Sequence, residues 1–250
     1  MYNRVKTDAE IKSMREGGRM LATVLEHLSA YAEVGMTTKE LSQYAAQELK
    51  ALGGKPTIYG YEGFPEPICI SVNNAVVHGI PSNSFVLSDG DIVSLDFCVT
   101  YRGMITDAAR SIIVGTPQPG DEKLLKTTLE ALDAGIFAVH GGCKTGDIAA
   151  AVQAQLERGG YGIVRDLVGH GVGHQMHEEP NVPNYGRAGS GPKLEAGMTI
   201  AIEPMSTRGD WRVRLHPDGW TILTADGSRA AHFEDTVLIT SDGAEILTRI

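Results

Sequence analysis

Apolar positions recur first at helical spacing and then at strand spacing, and the chain runs through this order twice. Thr7-Asp8-Ala9-Glu10 is a capping box, and Ile11, Met14, Met20, Leu21, Val24, Leu25 and Leu28 follow as one helical stripe. Gly35 to Leu41 opens a second helix that Gly53-Gly54 closes. A loop rich in Gly and Pro (59–67) leads to a strand at Ile68–Val72, a turn at Asn73-Asn74 and a short strand with its exit at Val76–Pro81. Two β-rich runs between Gly90 and Val114 then flank Arg102-Gly103, a two-residue hairpin turn. After Gly115-Thr-Pro-Gln-Pro-Gly120, a long helix is expected from Asp121 to about Val139 and another from Gly142 to Gly159-Gly160. An insertion at about Ser206–Arg229 and a return strand over Ala231–Thr240 complete the order.

The second pass echoes the first at an offset of 107. Gly35, Thr38, Leu41 and Leu49 anticipate Gly142, Thr145, Ile148 and Leu156, and farther on Gly90, Leu95 and Asp96 anticipate Gly197, Ile202 and Glu203. This predicts two pseudo-symmetric halves, about 8–114 and 121–245, within one domain spanning 1–250. The fold class is mixed α/β (α+β).

Within the hairpin, cross-strand partners have numbers summing to 205, so Asp96 faces Ala109 and Asp107 shares its face. Two carboxylates on one buried face make either a proton-sharing pair or a metal site. The echo adds Glu203, and the return strand adds Glu234. Four such carboxylates cannot gather without a cation. Gly169-His170-Gly171 supplies an imidazole where glycines let the backbone bend closely. Five ligands of this kind are too many for one tetrahedral zinc and suit two divalent ions. His78 and His177 stand at a strand exit and in a Gly-rich stretch, where they can meet a substrate.

Composition narrows the partners. The 250 residues are 42% hydrophobic and 21% charged, with a net charge of −9, which argues against nucleic acid. No apolar run spans a membrane, and the first residues lack the apolar core of a signal peptide. Cys69, Cys98 and Cys143, odd in number and widely spaced, read as reduced thiols of a cytoplasmic protein. Cys98 and Cys143 are read as core fillers, and Met14, Met20 and Met36 as helix core. His174 is read as a loop residue; His27, His140, His216 and His232 as surface or structural imidazoles.

Val77-His-Gly-Ile-Pro81, the Asp96/Asp107 hairpin, Gly169-His-Gly-Val-Gly173, His177-Glu-Glu-Pro180, Ile202-Glu-Pro-Met205 and Phe233-Glu234 closely resemble methionine aminopeptidase type I over residues 5 to 248. Only 25 residues separate His177 from Glu203, which fits the short bacterial form without the type II insert. The resemblance implies the pita-bread fold and two divalent ions (Co, Mn, Fe or Zn) on Asp96, Asp107, His170, Glu203 and Glu234, with Asp107 and Glu234 bridging. It implies removal of initiator methionine before a small second residue, by attack of a metal-bridging hydroxide. Glu203 is the implied proton acceptor, with His78 near the scissile nitrogen and His177 donating to the carbonyl oxygen. Ile58, Tyr61, Phe64, Cys69, Met176 and Trp220 fall where the methionine side chain is held.

The family often carries Cys, His, Tyr and Phe where this chain has Ile58, Glu62, Phe64 and Met176. Glu62 near the mouth raises the expectation of a preference for a basic residue after methionine or for a free amino group. The expected partners are N-termini of nascent polypeptides, the ribosome being one place to meet them, and the expected state is a monomer. A proline-specific aminopeptidase of the same fold and an inactive binding protein are the competing readings.

Overall fold

In the computed structural model, which describes residues 4–250, each half opens with two helices and runs on into strands. The first half contains α1 (Asp8–Tyr31), α2 (Thr38–Leu52), β1 (Lys55–Pro56), β2 (Cys69–Val72), β3 (Ala75–Val77), β4 (Asp91–Tyr101) and β5 (Met104–Val114). The second contains α3 (Asp121–Phe137), α4 (Thr145–Gly159), β6 (Gly162–Ile163), β7 (Gly169–Gly171), β8 (Glu178–Val182) and β9 (Thr199–Ile202). It continues with β10 (Met205–Thr207), β11 (Val213–Leu215), β12 (Ile222–Thr224), β13 (Ala230–His232), β14 (Glu234–Ile239) and β15 (Ala244–Ile246).

Helix starts follow the capping chemistry. Thr7 and Glu10 satisfy each other's backbone N–H at α1, and Thr37 and Glu40 do the same at α2. At α3 the helix stops at Phe137, two residues short of expectation. Gly141 and Gly142 there draw the chain away, donating to Thr240 O and Leu194 O at 2.8 Å each.

The β4–β5 hairpin has the expected register, Asp96↔Ala109, with Arg102 (φ 47°) and Gly103 (φ 80°) in the left-handed region that a type I′ turn requires. A nine-stranded sheet runs β1-β4-β5-β14-β9-β7-β8, with β2 on β4 and β15 on β14. Its central seam, Glu234↔Ala109 and Asp235↔Ala108, joins the two halves.

Side-chain alternation decides which face carries chemistry. Val93, Leu95 and Phe97 pack against Leu21, Leu25, Leu28, Leu41 and Leu49 of α1 and α2. Ile200, Ile202 and Val237 pack against Leu132, Ile136, Ile148 and Val152 of α3 and α4. Helices therefore cover one face of the sheet, and Asp96, Asp107 and Glu234 project from the other. Gly18 lets α1 approach the C-terminal segment, since a Cβ there would lie 2.1 Å from Leu247 O.

The return strand is not continuous, contrary to the single run expected over Ala231–Thr240. It breaks at Phe233: β13 pairs with β10 in a separate three-stranded sheet, whereas β14 joins the main sheet. The insertion itself is ordered into β10, β11 and β12. Among the described residues no helix is long and apolar enough to cross a membrane.

Candidate metal centre

A cleft of about 200 Å³ opens on the helix-free face at the seam, lined by His78, Asp96, Asp107, His170, His177, Glu203 and Glu234 together with Val77, Leu167, Val168, Asn181 and Met205. All seven polar residues singled out for ligation or catalysis meet there. Asp107, His170 and Glu234 each present a donor atom, and these three atoms lie within 4.8 Å of one another.

Each donor is held from behind. Asp107 donates its N–H to Thr236 Oγ1 and accepts from that hydroxyl at its carbonyl, both at 2.8 Å, which ties β5 to β14 across the seam. Cys98 lies opposite Asp107 in the hairpin register and packs into the apolar cluster with Ile105 and Val172, as a core filler. Behind Glu234 the neighbouring Asp235 points to the opposite face and is fully buried. There Arg110 (2.7 Å), Arg249 (2.7 Å) and Thr248 (2.7 Å) compensate its charge. His170 donates from Nδ1 to Gly171 O at 3.0 Å, so Nε2 carries the lone pair and faces Glu203 Oε1 at 3.5 Å. Gly169 allows this close approach, because a Cβ would lie 2.4 Å from Ala201 O.

Left to themselves, these groups resist ionisation. Burial, and then the charge of Asp107, raises the Asp96 carboxyl to about 8. Burial and the same neighbour lift Glu203 and Glu234 well above the usual carboxylate range, and burial raises Asp107 itself. The His170 imidazole is pushed down to about 3 by burial and by His177, and His78 to about 4 by burial, His232 and His177. Asp107 Oδ1 and Glu234 Oε1 have no hydrogen-bond partner among the described residues. Buried, mutually repelling, unpartnered carboxylate oxygens beside a neutral imidazole lone pair are the donor set a divalent cation satisfies.

The two catalytic candidates sit differently. His78 follows directly on β3 with φ 58°, a left-handed residue that turns the chain sharply, and Gly79 after it is pressed against Ile70 O. His177 is exposed at the rim, its ring 4.5 Å from that of His170 in an edge-to-face arrangement.

The six residues assigned to the methionine side chain line the surroundings and not the cleft itself. Tyr61 meets the edge of His177 at 6.1 Å, and Phe64 packs edge-on against Trp220 at 5.2 Å. Ile58 and Met176 join Cys98, Ile105 and Val172 in one apolar cluster, and Cys69 pairs with Asp96 on β4. Glu62 is exposed with φ 46°.

Two histidines need correction or refinement. His232, read as a surface or satisfied structural imidazole, is 1% exposed, has no hydrogen-bond partner at either ring nitrogen among the described residues and stands 3.5 Å from Glu203 Oε2. A lone His ending a three-residue strand gives no periodic signal. Its spacing two residues before Glu234 was the only available hint. His174 lies outside the cleft, bonded to Glu10 at 2.8 Å.

The sequence profile of metallopeptidase family M24 matches residues 12–241. Over 239 residues the chain is 46% identical to methionine aminopeptidase A of Synechocystis sp., covering 96% of this chain and 94% of that relative. It is also 46% identical over 246 residues to the methionine aminopeptidase of Clostridium perfringens, covering 98% of each. The crystal structure of methionine aminopeptidase from Thermotoga maritima superposes with a TM-score of 0.97 at 43% identity, over 99% of this chain and 100% of that one.

Proposed function

The chain belongs to metallopeptidase family M24, and from that premise we propose that it is a pita-bread methionine aminopeptidase of the short bacterial type I form, releasing the N-terminal methionine of proteins whose second residue is small. The observation that carries this reading is the convergence of Asp107, His170 and Glu234 donors in one cleft, on a chain matching methionine aminopeptidases end to end.

Asp96, Asp107, His170, Glu203 and Glu234 are the residues that would hold two divalent cations. Two such ions match four carboxylates in charge. When bound, they supply Lewis acidity, acidify water to near neutral pH and neutralise charge at the reacting carbonyl. Ligand type does not choose among Co, Mn, Fe and Zn, so availability decides.

Glu203, at the edge of this set, accepts the proton of the attacking water. His78, held neutral by burial, sits where it can serve the scissile nitrogen, and His177 at the rim donates to the carbonyl oxygen as charge develops. Ile58, Tyr61, Phe64, Cys69, Met176 and Trp220 form the apolar and aromatic surroundings for a thioether. Both halves, 8–114 and 121–245, act as one catalytic unit, as a monomer on nascent N-termini. Three buried free thiols fit a reducing cytoplasm.

The test is direct. Protein stripped with chelator and restored with Co²⁺ or Mn²⁺ should release methionine from Met-Ala-Ser and nothing from Ala-Pro-Ala. No metal-dependent methionine release would sink the reading, and release of alanine from Ala-Pro-Ala would replace it with a proline-directed activity.

A further inference from the structure

His232 has no part in the roles above, yet its surroundings are tightly built. Its backbone is clamped by one hydroxyl: the N–H donates to Ser111 Oγ at 2.9 Å, and the carbonyl accepts from the same atom at 2.8 Å. The pairing Met205↔His232 fixes the strand on its other side. The ring is enclosed, and neither nitrogen has a hydrogen-bond partner among the described residues. An enclosed imidazole with both nitrogens unmet is a standing cost that a fold keeps only for a reason.

Glu203 provides it. His170 Nε2 faces Glu203 Oε1 at 3.5 Å, and His232 Nε2 faces Glu203 Oε2 at 3.5 Å. One carboxylate is bracketed by two imidazoles, one to each oxygen. The two rings are not equivalent. His170 places its proton on Nδ1 because Gly171 O accepts it, which leaves Nε2 bare. His232 has no acceptor at Nδ1, whereas its Nε2 faces an oxygen. A neutral imidazole carries one proton, and facing a carboxylate that proton belongs on Nε2.

We propose that His232 is a positioning residue, whose Nε2–H donates to Glu203 Oε2 and so keeps Oε1 turned toward His170 and the reacting centre. The approach needs a movement from 3.5 Å to about 2.9 Å, within the reach of a carboxylate rotation. A ring protonated at Nε2 cannot ligate a cation through that nitrogen, the one that faces Glu203. The inference rests on the reading of Glu203 given above.

The primary test needs no turnover. In protein carrying ¹⁵N-histidine and loaded with Zn²⁺, the His232 ring, assigned by its loss in His232→Gln, should show a protonated Nε2 and a bare Nδ1. The opposite tautomer overturns the proposal. In turnover of Met-Ala-Ser, His232→Gln, which keeps an amide donor, should hold kcat within about threefold, whereas His232→Leu should lower it about 10- to 100-fold with KM little changed. Mn²⁺ affinity by calorimetry should weaken in His232→Leu by a similar factor, about 10- to 100-fold. Leu-variant kinetics and Mn²⁺ binding equal to wild type, or a Gln variant as impaired as Leu, would refute it. Should His232→Leu fail to fold, the tautomer and the Gln variant still decide. A wild-type chain that releases no methionine defeats the function, and the tautomer then stands as the test of positioning.

Discussion

Helices 38–52 and 145–159 have equal length, and the turns that prepare them are hydrogen-bonded alike. Gly35 N–H donates to Leu87 O and Gly142 N–H to Leu194 O, each at 2.8 Å; Leu87 and Leu194 return bonds to Met36 O and Cys143 O, again at 2.8 Å. Even the isolated bridges Thr37↔Val86 and Lys144↔Lys193 correspond. What the halves hang on this common frame differs. The first closes its long strands with Arg102-Gly103; the second opens between Ile202 and Glu234 into β10–β13. That insertion brings Trp220 against Phe64 and His232 against Glu203. His170 likewise has Gly63 at the matching position of the first half. The repeated frame supplies carboxylates from both sides, and the unrepeated parts supply the imidazoles of the second half that orient them.

The severest way to probe this is to remove one seam carboxylate from each half. Asp107→Asn and Glu234→Gln should each lower methionine release from Met-Ala-Ser on the order of a thousandfold, with bound Mn²⁺ per chain reduced. Near-wild-type activity in either would break the shared-site reading, and unequal losses of metal would sharpen it.

The helix glycines offer a second contrast. At Gly18 a Cβ meets the Leu247 carbonyl at 2.1 Å, a rigid backbone atom; at Gly135 it meets a Val152 methyl at 2.8 Å, which can yield. Gly18→Ala should cost about 2–3 kcal/mol and Gly135→Ala about 1 kcal/mol. Thermal melts should show about 2–4 °C per kcal/mol, with the larger fall in the first half. Equal melting temperatures would refute the difference.

Across the seam, Thr236→Val removes both bonds to the Asp107 backbone and should destabilise by about 1–3 kcal/mol, read as a lower urea midpoint.

The mildest effect is on pH. Above about 6.5, where neutral histidines no longer titrate, the chelated folded chain still holds protons on its raised carboxyls, Asp96 at about 8. The unfolded chain has lost them, so stability should fall as pH rises from about 6.5 to 8. Below that window His78 and His170 work in the opposite sense, their stabilisation being lost as pH falls. Calorimetry with and without Mn²⁺ checks this: the fall should vanish with metal.

Much of this was legible in the residues. Arg102-Gly103 sets the hairpin register, and parity then puts Asp96 and Asp107 on one face. The 107-residue echo located Glu203 because hydrophobic pattern and turn glycines repeat with it. Other features had no local signal. The break at Phe233 comes from two sheets competing for one run of apolar residues. Phe64 meets Trp220 only through tertiary packing across the halves, and His232 takes its meaning from Glu203, a neighbour in space. Periodicity reports on faces, not on which faces meet.

The seam pairing Glu234↔Ala109 also carries a kinetic consequence. Asp96 and Asp107 come together as soon as a two-residue turn closes, whereas Glu234 must return across more than a hundred intervening residues to pair beside them. Loop-closure entropy places that contact late in folding, and high contact order makes it slow. Until it forms, the first hairpin exposes an unpaired β5 edge, the kind of edge that recruits other chains. Completion of the donor set therefore coincides with that pairing. Metal uptake followed in real time would serve as a clock for the joining of the two halves.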